Sequence, residues 1–156
     1  MNLKQLLLAR SDWFAREIMR GVRRSDYAFI TPAQSRLLAH MGGKPMSMAE
    51  IARRLAISRQ AVHKTVAELV RRGILQVVVD PERGNQKLVV YTQRGRAVNR
   101  IGAEIIESIE AGIAERLGAE GLAELKRLLS SDWGEDGSAD LTQSARQDEP
   151  PHRRAA

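Results

Sequence analysis

Residues 47–92 read SMAEIARRLAISRQAVHKTVAELVRRGILQVVVDPERGNQKLVVYT, and this stretch decides the fold. Ser47-Met48-Ala49-Glu50 has the pattern of a capping box, a hydroxyl residue followed three positions later by an acid. It opens a short helix whose inner face holds Ile51, Ala52 and Leu55. Ser58 opens a second helix, with Val62, Val66, Leu69 and Val70 as its inner face. Gly73 then serves as a left-handed stop. Ile74 to Val79 and Lys87 to Tyr91 are rich in β-branched residues and read as strands. Between them Asp80-Pro81-Glu82-Arg83-Gly84-Asn85-Gln86 is turn chemistry, with Gly84 and Asn85 suited to positive φ.

Two short amphipathic helices followed at once by a hairpin are the order of a winged helix-turn-helix. Ala52 is small where the second helix must cross the first, and Val62, ten residues on, anchors that helix to the core. Ala56 stands at the turn position where glycine is common. Outward from this unit, residues 2 to about 22 form a first helix with Leu3, Leu7, Phe14 and Ile18 near one stripe, and Leu6 and Trp13 beside it. Asn2 with Gln5 caps its start, and Gly21 predicts fraying near its end. Residues 23–30 are a connection carrying Tyr27, Phe29 and Ile30. Thr31-Pro32-Ala33-Gln34 starts a helix that holds Leu37, Leu38 and Met41 and stops at Gly42-Gly43.

Downstream, Thr92 caps a long helix to about Leu117. Its apolar seam is Val98, Ile101, Ile105, Ile109, Ile113 and Leu117. After Gly118 a shorter helix carries Leu122, Leu125, Leu128 and Leu129. From Trp133 the chain has one leucine, two prolines and no period, which predicts a disordered tail over 133–156. The expected fold class is mainly α with a small β-hairpin wing. The expected organisation is one domain over 1–132, with a DNA-binding lobe at 30–95 and dimerisation helices at 1–22 and 96–132.

Composition narrows the function. The net charge is +6 over 156 residues, and 43% of residues are hydrophobic, enough for a core. The charge is uneven. Residues 44–96 hold 11 Lys and Arg against 4 Asp and Glu, whereas residues 97–156 hold 7 against 12. The positive field is thus centred on the helix-helix-hairpin segment, as a phosphate-binding surface requires. There is no cysteine, so disulfides, thiol redox sensing and Cys-based zinc sites are excluded. No apolar run approaches the roughly 20 residues of a membrane span. The start, MNLKQLLLARSDW, is too soon charged for a secretory signal, so a cytoplasmic protein is expected. His40, His63 and His152 lie far apart, and no nucleophile motif, carboxylate pair or glycine-rich phosphate loop is present. A protein without enzymatic activity, metal or cofactor is expected.

On the helix starting at Ser58, the residues opposite the core stripe are Arg59, Gln60, His63, Lys64, Ala67 and Arg71. Residues near the start of a recognition helix reach base edges. Gln60 suits adenine, and Arg59 or Lys64 suits guanine. His63 faces the same way. Ser58 suits a phosphate, helped by the free N–H groups of the helix start. In the wing Arg83 is the expected minor-groove or phosphate contact, with Lys87 supporting it. Arg53, Arg54 and Arg71 are the expected further phosphate contacts, and a merely solvated face is the other reading for Arg53 and Arg54.

These motifs resemble the MarR-type winged helix-turn-helix transcription regulators over roughly residues 1–132. The resemblance is carried by Thr31-Pro32-Ala33-Gln34, by Ile51-Ala52, Leu55 and Ile57-Ser58-Arg59-Gln60-Ala61-Val62, by Leu69 with Gly73-Ile74, by Asp80-Pro81, and by Thr92 with Gly95. It implies a homodimer joined through the first and last two helices. Two recognition helices would enter successive major grooves of a palindrome in double-stranded DNA, most often as a repressor. It also implies control by a small ligand, often a phenolic or aromatic acid. One departure concerns the wing: Glu82-Arg83-Gly84-Asn85-Gln86 offers one arginine where such regulators commonly carry several.

The dimer also follows from the residues themselves. The 98–117 seam forms a helix roughly 30 Å long, and one small lobe cannot cover its apolar face. A ligand site is less marked. Trp13, Phe14, Tyr27 and Phe29 fall within residues 13–29, with Arg16 and Arg20 nearby and His40 on the next helix. Trp13, Arg16, Tyr27 and His40 would cradle an aromatic carboxylate; the plainer reading is a packed dimer core with solvated arginines. Two other functions compete with a sequence-specific regulator. A winged-helix protein-interaction module would need an apolar or acidic face where Arg59, Gln60, Lys64 and Arg71 stand. A non-specific nucleoid-type binder would have no use for Gln60.

Overall fold

The computed structural model describes residues 1–134, and the expected tail lies outside the described residues apart from Trp133 and Gly134. The order is α1 (Leu3–Arg23), α2 (Pro32–Met41), α3 (Met48–Leu55), α4 (Arg59–Arg71), β1 (Leu75–Asp80), β2 (Gln86–Tyr91), α5 (Gln93–Leu117) and α6 (Ala119–Leu129). This is a mainly helical winged helix-turn-helix. The strands pair antiparallel, from Leu75 opposite Tyr91 to Asp80 opposite Gln86. A 3-10 turn at Pro81–Arg83 and left-handed Gly84 and Asn85 close the hairpin.

The helix starts follow local chemistry. Asn2 with Gln5 and Thr31 with Gln34 form complete capping boxes, and Pro32 occupies the first turn of α2. Ser47 caps α3, but the box there is one-sided, because the Glu50 carboxylate turns to two arginines instead. Gly42 and Gly73 take positive φ, as expected of helix stops.

The core gathers α2, α3, α4 and the hairpin around Leu37, Met41, Ile51, Val62, Leu69, Ile74 and Val89. Val70 departs from its expected place: it is 39% exposed, and Val62, Val66 and Leu69 alone form the buried stripe of α4. A third segment joins the hairpin through an isolated bridge that no strand pattern announces. Met46 exchanges both backbone hydrogen bonds with Val89, at 3.0 and 2.8 Å. This ties the entry to α3 onto the wing.

Gly21 does not fray α1, which continues to Arg23. A Cβ at Gly21 would lie 2.8 Å from the Ile105 side chain, so the residue marks where α1 crosses α5 closely. The seam of α5 is only half covered, and Leu117 is exposed. Leu3, Leu6, Leu7 and Leu8 of α1 and Leu125, Leu128 and Leu129 of α6 are exposed as well.

Candidate nucleic-acid interface

The turn between α3 and α4 is set by Ala56, which holds φ +52° without being glycine. The Ile57 N–H donates to the Ala52 carbonyl at 3.2 Å, and Ser58 then caps α4 by accepting from the Ala61 N–H at 3.1 Å. Ala52 is buried, which lets α4 cross α3 closely. Gln34 fixes the other end of the crossing. It is buried on α2 and donates through Nε2 to Glu68 Oε2 on α4 at 3.1 Å.

With its inner stripe buried, α4 turns Arg59, Gln60, His63, Lys64, Ala67 and Arg71 outward, all exposed. Among the described residues, the side chains of Arg59, Gln60, His63 and Lys64 have no hydrogen-bond or ion-pair partner. They are therefore available to a ligand without first breaking a contact. Ser58 is exposed too, with its hydroxyl engaged as the cap.

Of the other expected contacts, Arg53 and Arg54 are tethered. Glu50 Oε1 accepts from Arg53 Nη2 at 2.7 Å and from Arg54 Nε at 2.8 Å, and its Oε2 accepts from Arg53 Nε at 2.9 Å. The two guanidiniums hold the Glu50 carboxyl down at about 2. In the wing Arg83 is 71% exposed and stands 3.6 Å from Asp80, a loose pair, while Lys87 is exposed. Arg54 and Arg83 meet across a groove of about 160 Å³, with Pro45, Met46, Ser47, Glu50, Gln86 and Leu88. That convergence of α3 and the wing was not legible in sequence.

The end of α4 is stitched to the start of α5. The Thr92 N–H donates to the Ile74 carbonyl at 3.1 Å, its hydroxyl donates to the Gly73 carbonyl, and Arg94 Nη1 donates to the Arg72 carbonyl at 3.0 Å. The Phe29 ring sits under both guanidiniums, 4.7 Å from Arg72 and 5.6 Å from Arg94. Phe29 thereby packs the α1–α2 connection against this joint.

The expected ligand residues are not gathered into one pocket. Trp13 lines a cleft of about 270 Å³ between α1 and α5, with Glu17, Ser108, Ile109, Gly112, Ile113 and Arg116. Arg16, Tyr27 and His40 are not among its lining residues. Tyr27 packs edge-on to Phe29 at 6.2 Å, Arg16 is exposed on α1, and the exposed His40 offers its carbonyl to Arg54. No cluster of three or more His, Cys, Asp or Glu able to hold a metal ion occurs among the described residues.

Fold and interface define a winged helix-turn-helix protein with long flanking helices. Residues 30–84 match the MarR family model. The chain is similar to the wild-type apo MarR of E. coli, with a TM-score of 0.67 at 20% identity, covering 83% of this chain and 94% of that one. It is also similar to MepR, a transcription regulator of the Staphylococcus aureus multidrug efflux pump MepA, with a TM-score of 0.62 at 18% identity, covering 83% and 94%. An uncharacterized protein of Mycobacterium tuberculosis, Rv2011c, is 31% identical over 68 residues, which is 44% of this chain and 48% of that protein. The chain thus spans about half the length of the curated relatives it matches. The match to the family model covers residues 30–84, and the described chain shares the winged-helix fold of these solved structures.

Proposed function

We propose that this chain is a homodimeric DNA-binding repressor that reads a palindromic operator and answers to a small aromatic acid. The observation that carries the DNA reading is the unpartnered outer face of α4: Arg59, Gln60, His63 and Lys64 stand exposed on a helix whose opposite face is fully packed. Bidentate donors and acceptors of this kind suit base edges in a major groove. Arg53, Arg54, Arg71 and Arg83 border the same surface and suit phosphates.

Residues 30–95 form the DNA-binding lobe in this reading, and 1–22 with 96–132 join the two copies. The exposed leucines of α1 and α6, beside the half-covered seam of α5, support that assignment. So much apolar surface on one side calls for a second copy. Two-fold symmetry would set the α4 helices about one DNA turn apart, roughly 34–36 Å. The effector reading rests on the Trp13 cleft, where an indole, two isoleucines and Arg116 suit an aromatic carboxylate.

Selection of bound duplexes from a random pool tests the DNA reading. The expected product is an inverted repeat whose half-sites are one helical turn apart. Recovery of no common sequence would favour a non-specific binder, and recovery of no duplex would favour a protein-interaction module. Salicylate-like acids, titrated while Trp13 fluorescence is followed in a Trp133→Phe background, test the effector. A flat response at millimolar concentration removes it.

A further inference from the structure

Two of the arginines bordering the outer face of α4 are held by a single acid. Arg59, Gln60, His63 and Lys64 are unpaired among the described residues, whereas Arg53 and Arg54 share one carboxylate, that of Glu50. Arg53 grips it in a fork, through Nε and Nη2 at 2.9 and 2.7 Å. A guanidinium fork fits a carboxylate and a phosphate alike. Glu50 also lines the groove between α3 and the wing, together with Arg54 and Arg83. One acid therefore sits where the cations of two DNA-facing elements converge.

We propose that Glu50 is an internal counter-ion, occupying the donors of Arg53 and Arg54 that a backbone phosphodiester of duplex DNA would take. The proposal rests on the DNA reading above. Exposed ion pairs are weak and screened, so a phosphate can displace the carboxylate from either arginine. The displaced acid stays beside the phosphate and repels it. The chain then grips every duplex less tightly than its cation count implies, and base contacts from α4 supply a larger share of the binding. The Glu50 carboxyl titrates at about 2, so it keeps its charge throughout the working pH range and only substitution removes it.

The test measures full-chain binding to a selected duplex and to a scrambled one, between 50 and 200 mM salt. Glu50→Gln keeps the shape and one acceptor while removing the charge; Glu50→Ala removes both, guarding against a shape effect of either. Both variants should bind both duplexes more tightly by a similar factor, about fivefold at the low-salt end, the scale of one exposed charge at contact distance. The slope of log affinity against log salt should steepen by about one to two, as one or two more phosphates are neutralised. Adding Arg53→Gln and Arg54→Gln to Glu50→Gln should erase the gain. Unchanged or weaker binding in both variants, with wild type binding normally, overturns the counter-ion and makes Glu50 a residue that positions the arginines. Wild type binding neither duplex overturns the DNA reading itself, and the counter-ion with it.

Discussion

Gly95, in the first turn of α5, lies directly against the backbone carbonyl of Ile74, and a Cβ built there would be driven into that oxygen. The close approach exists because Thr92 donates to the same carbonyl and, through its hydroxyl, to that of Gly73. A buried glycine between two stitched elements leaves no room for a side chain at the junction of α4, the first strand and α5.

Gly95→Ala should cost about 1–3 kcal/mol, as overpacking against a fixed group does. Gly21→Ala meets the branched Ile105 side chain at 2.8 Å, where a helix can shift against its neighbour, rather than a fixed backbone oxygen, and it gains helix propensity, so it should cost less. Thermal unfolding at one fixed protein concentration ranks the two. Equal losses would show that the Ile74 carbonyl yields as readily as a side chain.

Tyr91 links the wing to α2, its hydroxyl donating to the Leu38 carbonyl at 2.8 Å. Burial pushes its phenol up to about 12 from an ordinary 10. The folded state therefore holds the proton more tightly than the unfolded one. Its contribution is fully present below pH 10 and is lost as pH rises from 10 through about 12. Denaturation midpoints should fall over that window. Tyr91→Phe should be less stable at neutral pH, by about 0.5–1.5 kcal/mol, and should lose that part of the alkaline decline. A decline of the same depth in Tyr91→Phe would place its origin elsewhere.

What the sequence made legible was local. Asn2 with Gln5, Thr31 with Gln34, and the stops at Gly42 and Gly73 are decided within one turn of chain, and each stands where its pattern put it. The outward face of α4 was equally legible, since burying Val62, Val66 and Leu69 fixes what faces out. Contacts between distant segments were not. Nothing near Met46 announces its bridge to Val89, and nothing near Gln34 announces Glu68. Glu50 was legible only as half of a capping box; that it binds two arginines depends on which of two local partners wins. Charge decides it, because a carboxylate–guanidinium bond is stronger than a carboxylate–amide bond.

The exposed leucines of α6 carry the prediction on assembly. Leu125 and Leu128 are 41% and 47% exposed and sit three residues apart on one face. Leu125→Glu with Leu128→Glu should leave the α2–β2 core intact, since neither residue belongs to it. Sedimentation should then show half the mass of the wild type, with helicity largely kept. A wild-type chain already at monomer mass would show that a second copy does not cover this face.

Gln60 and Arg83 separate reading from gripping. Gln60 is unpartnered on α4 among the described residues, whereas Arg83 sits at the wing in a loose pair with Asp80 at 3.6 Å. A Gln60→Ala chain loses an amide that suits adenine, so preference at one base position should relax by about 1–3 kcal/mol, with the salt slope unchanged. An Arg83→Ala chain loses a phosphate-facing charge and no base information. Its affinity should fall alike on every duplex, and the salt slope should flatten by about one. Because the wing carries a single arginine, with Lys87 its one supporting cation, the loss should be visible without a second substitution. Equal losses in both variants on every sequence would show that α4 grips DNA here and does not read it.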